Sequence, residues 1–226
     1  MSTATRYDGP TAITPFAFGG KGIRLVRPAD PDRLLVDPGV LEWNARDDYM
    51  PYWAYLWPGA YLLAEAVARE PWPAGAEALE LGCGLGLAGL VGIASGLRVR
   101  FTDYDGAPLD FVGRSAEASG FEPSVYSTAL LDWRDPPEAS YPVILGADVL
   151  YERRLVPLVV GVLARMLAPE GVALVAGSYR VATEDLDDQL ARGGLVAESS
   201  PIASRTEKGE EVRGTLHHIR RLRRKE

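Results

Sequence analysis

The sequence predicts an α/β fold: a doubly wound, seven-stranded sheet of five parallel strands and a C-terminal antiparallel hairpin, with an N-terminal β-hairpin extension ahead of it. Three observations carry this. From residue 58 onward, short apolar segments alternate with amphipathic stretches at helical spacing, the pattern of a parallel sheet with helices on both faces. A glycine-rich turn, Leu79-Glu80-Leu81-Gly82-Cys83-Gly84-Leu85-Gly86-Leu87-Ala88-Gly89, joins the first of these strands to its helix. The last two strand-like segments have no helix between them, which makes them antiparallel neighbours.

Taken in order, Met1 to Pro10 is polar and loosely ordered. Ile13–Phe18, Ile23–Val26 and Leu34–Val36 have β-branched and aromatic character and are separated by Gly-Gly and Pro-Asp turns, so they read as short strands. They form an extension over residues 1–48, and the main domain occupies 49–226. The main domain opens with an aromatic run, Tyr49-Met50-Pro51-Tyr52-Trp53-Ala54-Tyr55-Leu56-Trp57, that leads into a helix at Pro58–Arg69, proline being suited to a first helical turn. Strands follow at Ala78–Leu81, Val99–Thr102, Ser124–Thr128, Pro142–Ala147 and Val172–Ser178. The accompanying helices are Leu87–Ser95, Ala107–Ser119, Leu155–Leu167 and Glu184–Arg192. The polar segment Arg205 to Glu210 joins Val196–Ala203 to Val212–Leu222 as the terminal hairpin.

A chain of 226 residues, 47% hydrophobic and 24% charged, buries one full core and leaves little room for a second domain. The net charge of −7 provides no global attraction for nucleic acid or an anionic membrane. One cysteine excludes an internal disulfide, and two adjacent histidines, His217 and His218, argue against a metal site. No apolar run reaches transmembrane length and the N-terminus lacks a signal-peptide core, so a cytoplasmic location is expected.

The chemistry concentrates where the parallel strands end, since open α/β sheets bind ligands beyond the carboxyl ends of their strands. Gly82, Gly84 and Gly86 mark a backbone that turns sharply and admits a ligand closely. Gly84 to Gly89 also fits G-x-G-x-x-G, so a dinucleotide and a ligand-free turn stand as alternatives. Glu80 discriminates between them: a carboxylate would repel a pyrophosphate but suit a cationic amino group, and S-adenosylmethionine carries one. Asp103, at the end of the second strand, is placed to accept hydrogen bonds from vicinal ribose hydroxyls, or to act as a turn or cap residue. After the third strand, Asp132 can accept from an adenine amine and Trp133 offers a stacking face; a surface turn is the competing reading. Trp57 belongs either to this site or to the core. After the fourth strand, Asp148 faces the methyl donor and Tyr151 can return to the same mouth if a helix begins there, the competing reading being an N-cap with a packed tyrosine. Asp148 would orient an acceptor amine and take its proton, with Tyr151 supplying a second hydrogen bond.

Together these residues resemble the seven-strand, Rossmann-like S-adenosylmethionine-dependent methyltransferases, in particular the branch with a D/E-x-x-Y motif. That branch includes protein-lysine methyltransferases, among them enzymes acting on the β subunit of electron-transfer flavoprotein. The resemblance runs over residues 50 to 180 and rests on Pro51-Tyr52-Trp53-Ala54, Trp57-Pro58-Gly59-Ala60, the glycine loop, Thr102-Asp103, Asp132-Trp133 and Gly146-Ala147-Asp148-Val149-Leu150-Tyr151. It implies that Trp57, Gly82, Gly84, Asp103, Trp133 and Ala147 line the cofactor site, and that Asp148 and Tyr151 face the acceptor. Ala176-Gly177-Ser178-Tyr179-Arg180 departs from the Asp-Pro-type segment of many bacterial relatives, which bears on the acceptor pocket. The expected activity is N-methylation of a lysine in a protein. A small-molecule amine or heterocycle as acceptor, and a non-catalytic S-adenosylmethionine-binding protein, are the alternatives. The basic run Arg220 to Lys225 reads as a solvated tail, and the absence of an Asn/Asp-Pro-Pro-aromatic motif also argues against nucleic acid.

Overall fold

Helix-forming and strand-forming segments sort into two sheets in the computed structural model, which describes residues 7–47, 49–178 and 185–222. β1 (Thr11–Phe18) and β2 (Lys21–Pro28) form a separate antiparallel hairpin. The large sheet contains β3 (Glu77–Leu81), β4 (Arg98–Asp103), β5 (Tyr126–Leu130), β6 (Tyr141–Ala147), β7 (Leu167–Ser178), β8 (Leu195–Arg205) and β9 (Glu211–Arg221). Its order is β5-β4-β3-β6-β7-β9-β8, with β3 to β7 parallel and β9 antiparallel to both neighbours. The chain winds outward in one direction from β3 and in the other from β6, so the crevice expected of an open sheet lies beyond the ends of these two strands.

The helices are α1 (Pro38–Asp47), α2 (Pro58–Arg69), α3 (Leu87–Ala94), α4 (Gly106–Ala118), α5 (Val156–Met166) and α6 (Leu186–Arg192). Strand alternation divides the core into two layers. Ala78 packs in the layer built with α2, α3, α4 and the hairpin, whereas Leu79 and Leu81 pack in the layer built with α5 and α6. Glu80 shares the parity of Ala78, which directs it towards α3.

Two polar devices attach the hairpin. Ser115 and Ser119 stand one turn apart on α4 and face the backbone of β2. The Ser115 hydroxyl accepts from the Val26 amide at 2.9 Å and donates to the Phe111 carbonyl at 2.8 Å, and the Ser119 hydroxyl accepts from the Arg24 amide at 2.9 Å. The serines thus satisfy a strand edge that would otherwise be open to pairing. Near the open end of the hairpin, Arg27 of β2 pairs with Glu207 in the β8–β9 turn at 3.0 Å, and Tyr61 of α2 donates to the same carboxylate.

The structure corrects two readings at the N-terminal end. Leu34–Val36 is not a strand: Pro31–Val36 is a 3-10 helix, in which only Leu34 is buried. Three apolar residues caught between Pro31 and Pro38 find no partner strand. α1 was not expected, because its apolar positions are few, and its start is fixed locally by Asp37, whose carboxylate accepts from the amides of Gly39 and Val40 at 2.9 and 3.1 Å. α5 begins at Val156, close to the expected Leu155, and 148–155 forms turns and bends, so the condition of a helix beginning at Tyr151 is not met. Glu184, Tyr179, Arg180 and the tail from Arg223 to Lys225 lie outside the described residues. Among the described residues no helix is long and apolar enough to cross a membrane.

Ser115→Ala removes the acceptor of a buried amide and is expected to destabilise the protein by about 1–3 kcal/mol. Ser119→Ala, at an exposed site, should cost less than about 0.5 kcal/mol. Urea denaturation of the two variants measures the difference, and equal effects would show that the edge is not held through Ser115.

Candidate active site

The glycine turn between β3 and α3 takes its shape from three left-handed residues, Gly82 (φ 55°), Gly84 (φ 49°) and Gly86 (φ 74°). Only glycine adopts this conformation repeatedly without strain. The Cys83 amide donates to the Thr102 carbonyl at 2.8 Å and the Gly86 amide to the Cys83 carbonyl at 2.7 Å, tying the turn to β4 and closing it on itself. A Cβ at Gly82 would lie 3.1 Å from the Trp133 ring, and one at Gly84 would lie 3.5 Å from the backbone of Trp53. The structure therefore brings Gly82, Gly84 and Trp133 together, and lays the aromatic segment over the turn.

Asp103 is fixed beneath this turn. Its two oxygens accept from the amides of Gly84 and Asp105 at 2.9 and 3.1 Å, and each retains a lone pair for a further donor. Burial pushes its pKa up to about 6, against the pull of those amides. Glu80 is 2% exposed, and its Oε2 has no hydrogen-bond partner. A Cβ at Gly89 would sit 2.3 Å from that oxygen, so the first turn of α3 closes over the carboxyl. Burial raises the Glu80 pKa to about 8, the Gly89 amide opposing and Asp103 adding to the rise. Two acids thus sit together in a medium that penalises their charge, an arrangement that a nearby cationic group relieves.

Asp132 and Trp133 lie just beyond β5. Asp132 is engaged by Arg134, whose Nε and NH2 reach its two oxygens at 2.8 and 2.5 Å, with the Arg134 amide at 2.9 Å. The guanidinium beside it holds the Asp132 carboxyl below its usual range. Arg134 also lies 5.4 Å from the centre of the Tyr104 ring. A donor approaching Asp132 therefore competes with Arg134, a residue that the sequence reading passed over. An open groove of about 450 Å³ behind Trp133, lined by Arg134, Pro157, Leu158 and Arg165, separates this loop from α5.

At the end of β6, Ala147 is half-buried and Asp148 adopts φ 51°, the one described non-glycine residue with positive φ. Its amide donates to the Ala176 carbonyl at 2.8 Å, and its Oδ1 accepts from the Ser178 amide at 3.3 Å. Its Oδ2 accepts from the Gly59 amide at 2.6 Å, in the first turn of α2. Asp148 therefore caps a helix, but that helix is α2, 89 residues earlier, rather than the one that follows it. A Cβ at Gly59 would fall 2.6 Å from the Asp148 carboxyl, so the approach depends on glycine there. Trp57, immediately before α2, donates from its indole to the Tyr52 carbonyl at 2.8 Å. Tyr52 stands edge-to-face with both Trp57 and Tyr151, at centroid separations of 5.7 and 6.1 Å.

The segment that covers the crevice is itself held by aromatic contacts absent from the sequence reading. Tyr49 donates to Asp105, accepts from the Trp53 indole at 3.3 Å and stacks on Trp43 at 4.1 Å. The unusual density of aromatics between residues 43 and 57 was the available signal.

Residues 55–187, more than half of the chain, match the family model described as lysine methyltransferase. The electron transfer flavoprotein beta subunit lysine methyltransferase of Xenopus laevis is 28% identical over 149 residues, which span 63% of this chain and 60% of that protein. Among solved structures, the methyltransferase bound to the Trm112 activator in Haloferax volcanii superposes with a TM-score of 0.58 at 18% identity, covering 82% of this chain and 96% of the other. A TehB-like SAM-dependent methyltransferase from Corynebacterium glutamicum gives 0.54 at 17% identity, with coverage of 85% and 100%.

Two expectations follow from this geometry. Gly59→Ala should destabilise the protein by about 1–3 kcal/mol through overpacking against Asp148. A double-mutant cycle with Asp148→Ala should return a coupling of about 1 kcal/mol; additive effects would separate the two residues. The second expectation concerns pH. The Glu80 pKa lies above its usual 4.5, so the folded state holds more protons than the unfolded state across the window from 4.5 to about 8, and stability falls as pH rises through it. Asp103 acts in the same sense between 3.8 and about 6. Denaturation of the ligand-free protein across this range should show that decline, and Glu80→Gln should flatten it above pH 6. An unchanged slope in the variant would remove Glu80 as its source.

Proposed function

This chain belongs to the lysine methyltransferase family and is an S-adenosylmethionine-dependent methyltransferase, and from that premise we propose that its acceptor is the side-chain amine of a lysine in a protein. The observation that supports this reading is the extent of the family match, 55–187, which contains Trp57, the glycine turn, Asp103, Asp148 and Tyr151 in one block.

The residues at the strand ends fit the cofactor. The glycine turn leaves the close backbone approach it needs, the free lone pairs of Asp103 suit a ribose diol, and the orphaned Glu80 oxygen lies among acids that a cationic amino group would relieve. When bound, S-adenosylmethionine supplies a methyl group on a positively charged sulfur. We assign Gly82, Gly84, Trp57, Trp133 and Ala147 to the lining of this site, with Asp132 accepting from the adenine amine in competition with Arg134.

The chain's own contribution to transfer is positional. An amine attacks through its lone pair, so lysine must arrive neutral and correctly turned. In our reading Asp148 accepts a hydrogen bond from the amine and takes up its proton or developing charge. Its carboxylate is held by backbone amides from two other elements, so it need not reorganise during the reaction. Tyr151 supplies the second hydrogen bond, and burial raises the pKa of its phenol, which keeps the O–H intact. The aromatic segment over the crevice excludes water from the reacting atoms.

Transfer of labelled methyl from S-adenosylmethionine into size-separated host-cell lysate tests the proposal. A discrete labelled protein band is expected, and Asp148→Asn should reduce it by about 100-fold or more. Asparagine tolerates the left-handed backbone and keeps one oxygen for the Gly59 amide, so cofactor affinity should stay within about threefold. Asp103→Ala should instead weaken cofactor binding by about 10- to 100-fold. Label confined to small molecules would replace the protein acceptor with a metabolite amine.

A further inference from the structure

A closed circuit of contacts runs through Asp103, and one member of it, Tyr49, comes from outside the span of the family match, which begins at residue 55. The Asp103 carboxylate accepts from the Gly84 amide at 2.9 Å and from the Asp105 amide at 3.1 Å. Gly84 lies against the backbone of Trp53, where a Cβ would meet the Trp53 carbonyl oxygen at 3.5 Å. The Trp53 indole donates to the Tyr49 hydroxyl at 3.3 Å. That hydroxyl donates to Asp105, whose amide leads back to Asp103. Three separate segments, 49–53, the glycine turn and the β4–α4 connection, thus close on a single carboxylate.

The links are anchored from outside the circuit. Asp105 is 2% exposed, and its other oxygen caps α4 by accepting from the Ala107 amide at 3.0 Å. Tyr49 is seated on α1: its ring stacks on Trp43 at 4.1 Å, and its carbonyl accepts from the Asn44 side-chain amide at 2.9 Å. Trp53 is buried, with its ring 5.4 Å from that of Phe111 in α4. A phenol set between a carboxylate and an indole N–H gives its proton to the first and a lone pair to the second, so its direction is defined. The bond to the carboxylate is charge-assisted, the stronger kind. One hydroxyl therefore holds both the turn that carries Asp103 and the segment that covers the glycine turn.

We propose that Tyr49 is a positioning residue for the cofactor: through Asp105 and Trp53 it fixes the Asp103 carboxylate and the glycine turn in the arrangement that receives the ribose. The proposal rests on the reading of Asp103 as the ribose acceptor above. Two vicinal hydroxyls engage one carboxylate well only when its oxygens are correctly turned, and both Asp103 oxygens are set by amides that belong to the circuit. Loss of the Tyr49 hydroxyl releases one side of Asp105 and removes the acceptor of the Trp53 indole, so both of those amides become less well placed. Tyr49 need not touch the ligand, because its effect is carried by pre-organisation. The linkage also runs in reverse: a ribose held by Asp103 steadies the circuit, and with it the segment from Tyr49 to Trp53.

Calorimetric titration of the full chain with S-adenosylhomocysteine and with its 2′,3′-dideoxy analogue tests this without any methyl transfer. Tyr49→Phe keeps the ring on Trp43 and loses only the hydroxyl, and its thermal midpoint verifies folding. It is expected to weaken S-adenosylhomocysteine by about five- to tenfold. The dideoxy analogue, which has no diol for Asp103 to receive, should weaken by less than about twofold. Ser115→Ala, which loses a buried hydrogen bond at the hairpin, controls for lost stability and should leave both affinities within about twofold. Amide hydrogen exchange gives a second readout: S-adenosylhomocysteine should slow exchange between Tyr49 and Trp53 in the unaltered chain, and not in Tyr49→Phe. An unchanged affinity in Tyr49→Phe, an equal loss for the two ligands, an equal loss in Ser115→Ala, or no ligand-induced slowing in the unaltered chain would overturn the role of Tyr49. Asp103→Ala separates this role from the reading it rests on. If Asp103→Ala loses the preference for the diol while Tyr49→Phe keeps it in full, the role of Tyr49 alone fails. If Asp103→Ala binds both ligands as the unaltered chain does, the ribose assignment fails and the positioning role falls with it.

Discussion

The contact between Asp148 and the first turn of α2 is the constraint around which the crevice is arranged. One residue at the end of β6 binds the Gly59 amide of α2, the Ser178 amide at the end of β7 and, through its own amide, the Ala176 carbonyl. A carboxylate at a helix N-terminus satisfies an otherwise unpaired amide and faces the positive end of the helix dipole. Those gains offset the left-handed backbone that Asp148 must adopt, a conformation costing about 1–3 kcal/mol at a non-glycine residue. The position of α2 then fixes Trp57, Trp57 fixes Tyr52, and the pair frames Tyr151. Local strain at one aspartate is thereby converted into a defined mouth.

How much of this was legible in the sequence depends on range. Features set by neighbours along the chain could be read directly: α2 begins at Pro58 and ends at Arg69 as expected, and the β3–α3 glycine turn lies where its spacing placed it. The five parallel strands and the terminal hairpin follow from alternation, and their ends moved by a few residues because pairing, not propensity, sets where a strand stops. Leu34–Val36 failed for the same reason, since three apolar residues have no strand identity without a partner. The cap of α2 was invisible, because its two halves are 89 residues apart and aspartate before a helix reads first as a cap for that helix. Glu80 illustrates a subtler limit. Its spacing from the glycines identified it as special, but the parity of β3 turns it under α3, and parity alone does not say what lies above the strand.

The acids at the strand ends illustrate a broader balance. Glu80 and Asp103 are both buried enough for their pKa values to rise; Asp103 makes the charge of Glu80 harder to bear, and Asp105 does the same to Asp103. Such groups lower the stability of the ligand-free fold and are tolerated where a positively charged partner completes them. Overall net charge does not locate this feature. The chain's −7 is a sum over the whole sequence, whereas these carboxyls act at short range in a poorly screened interior.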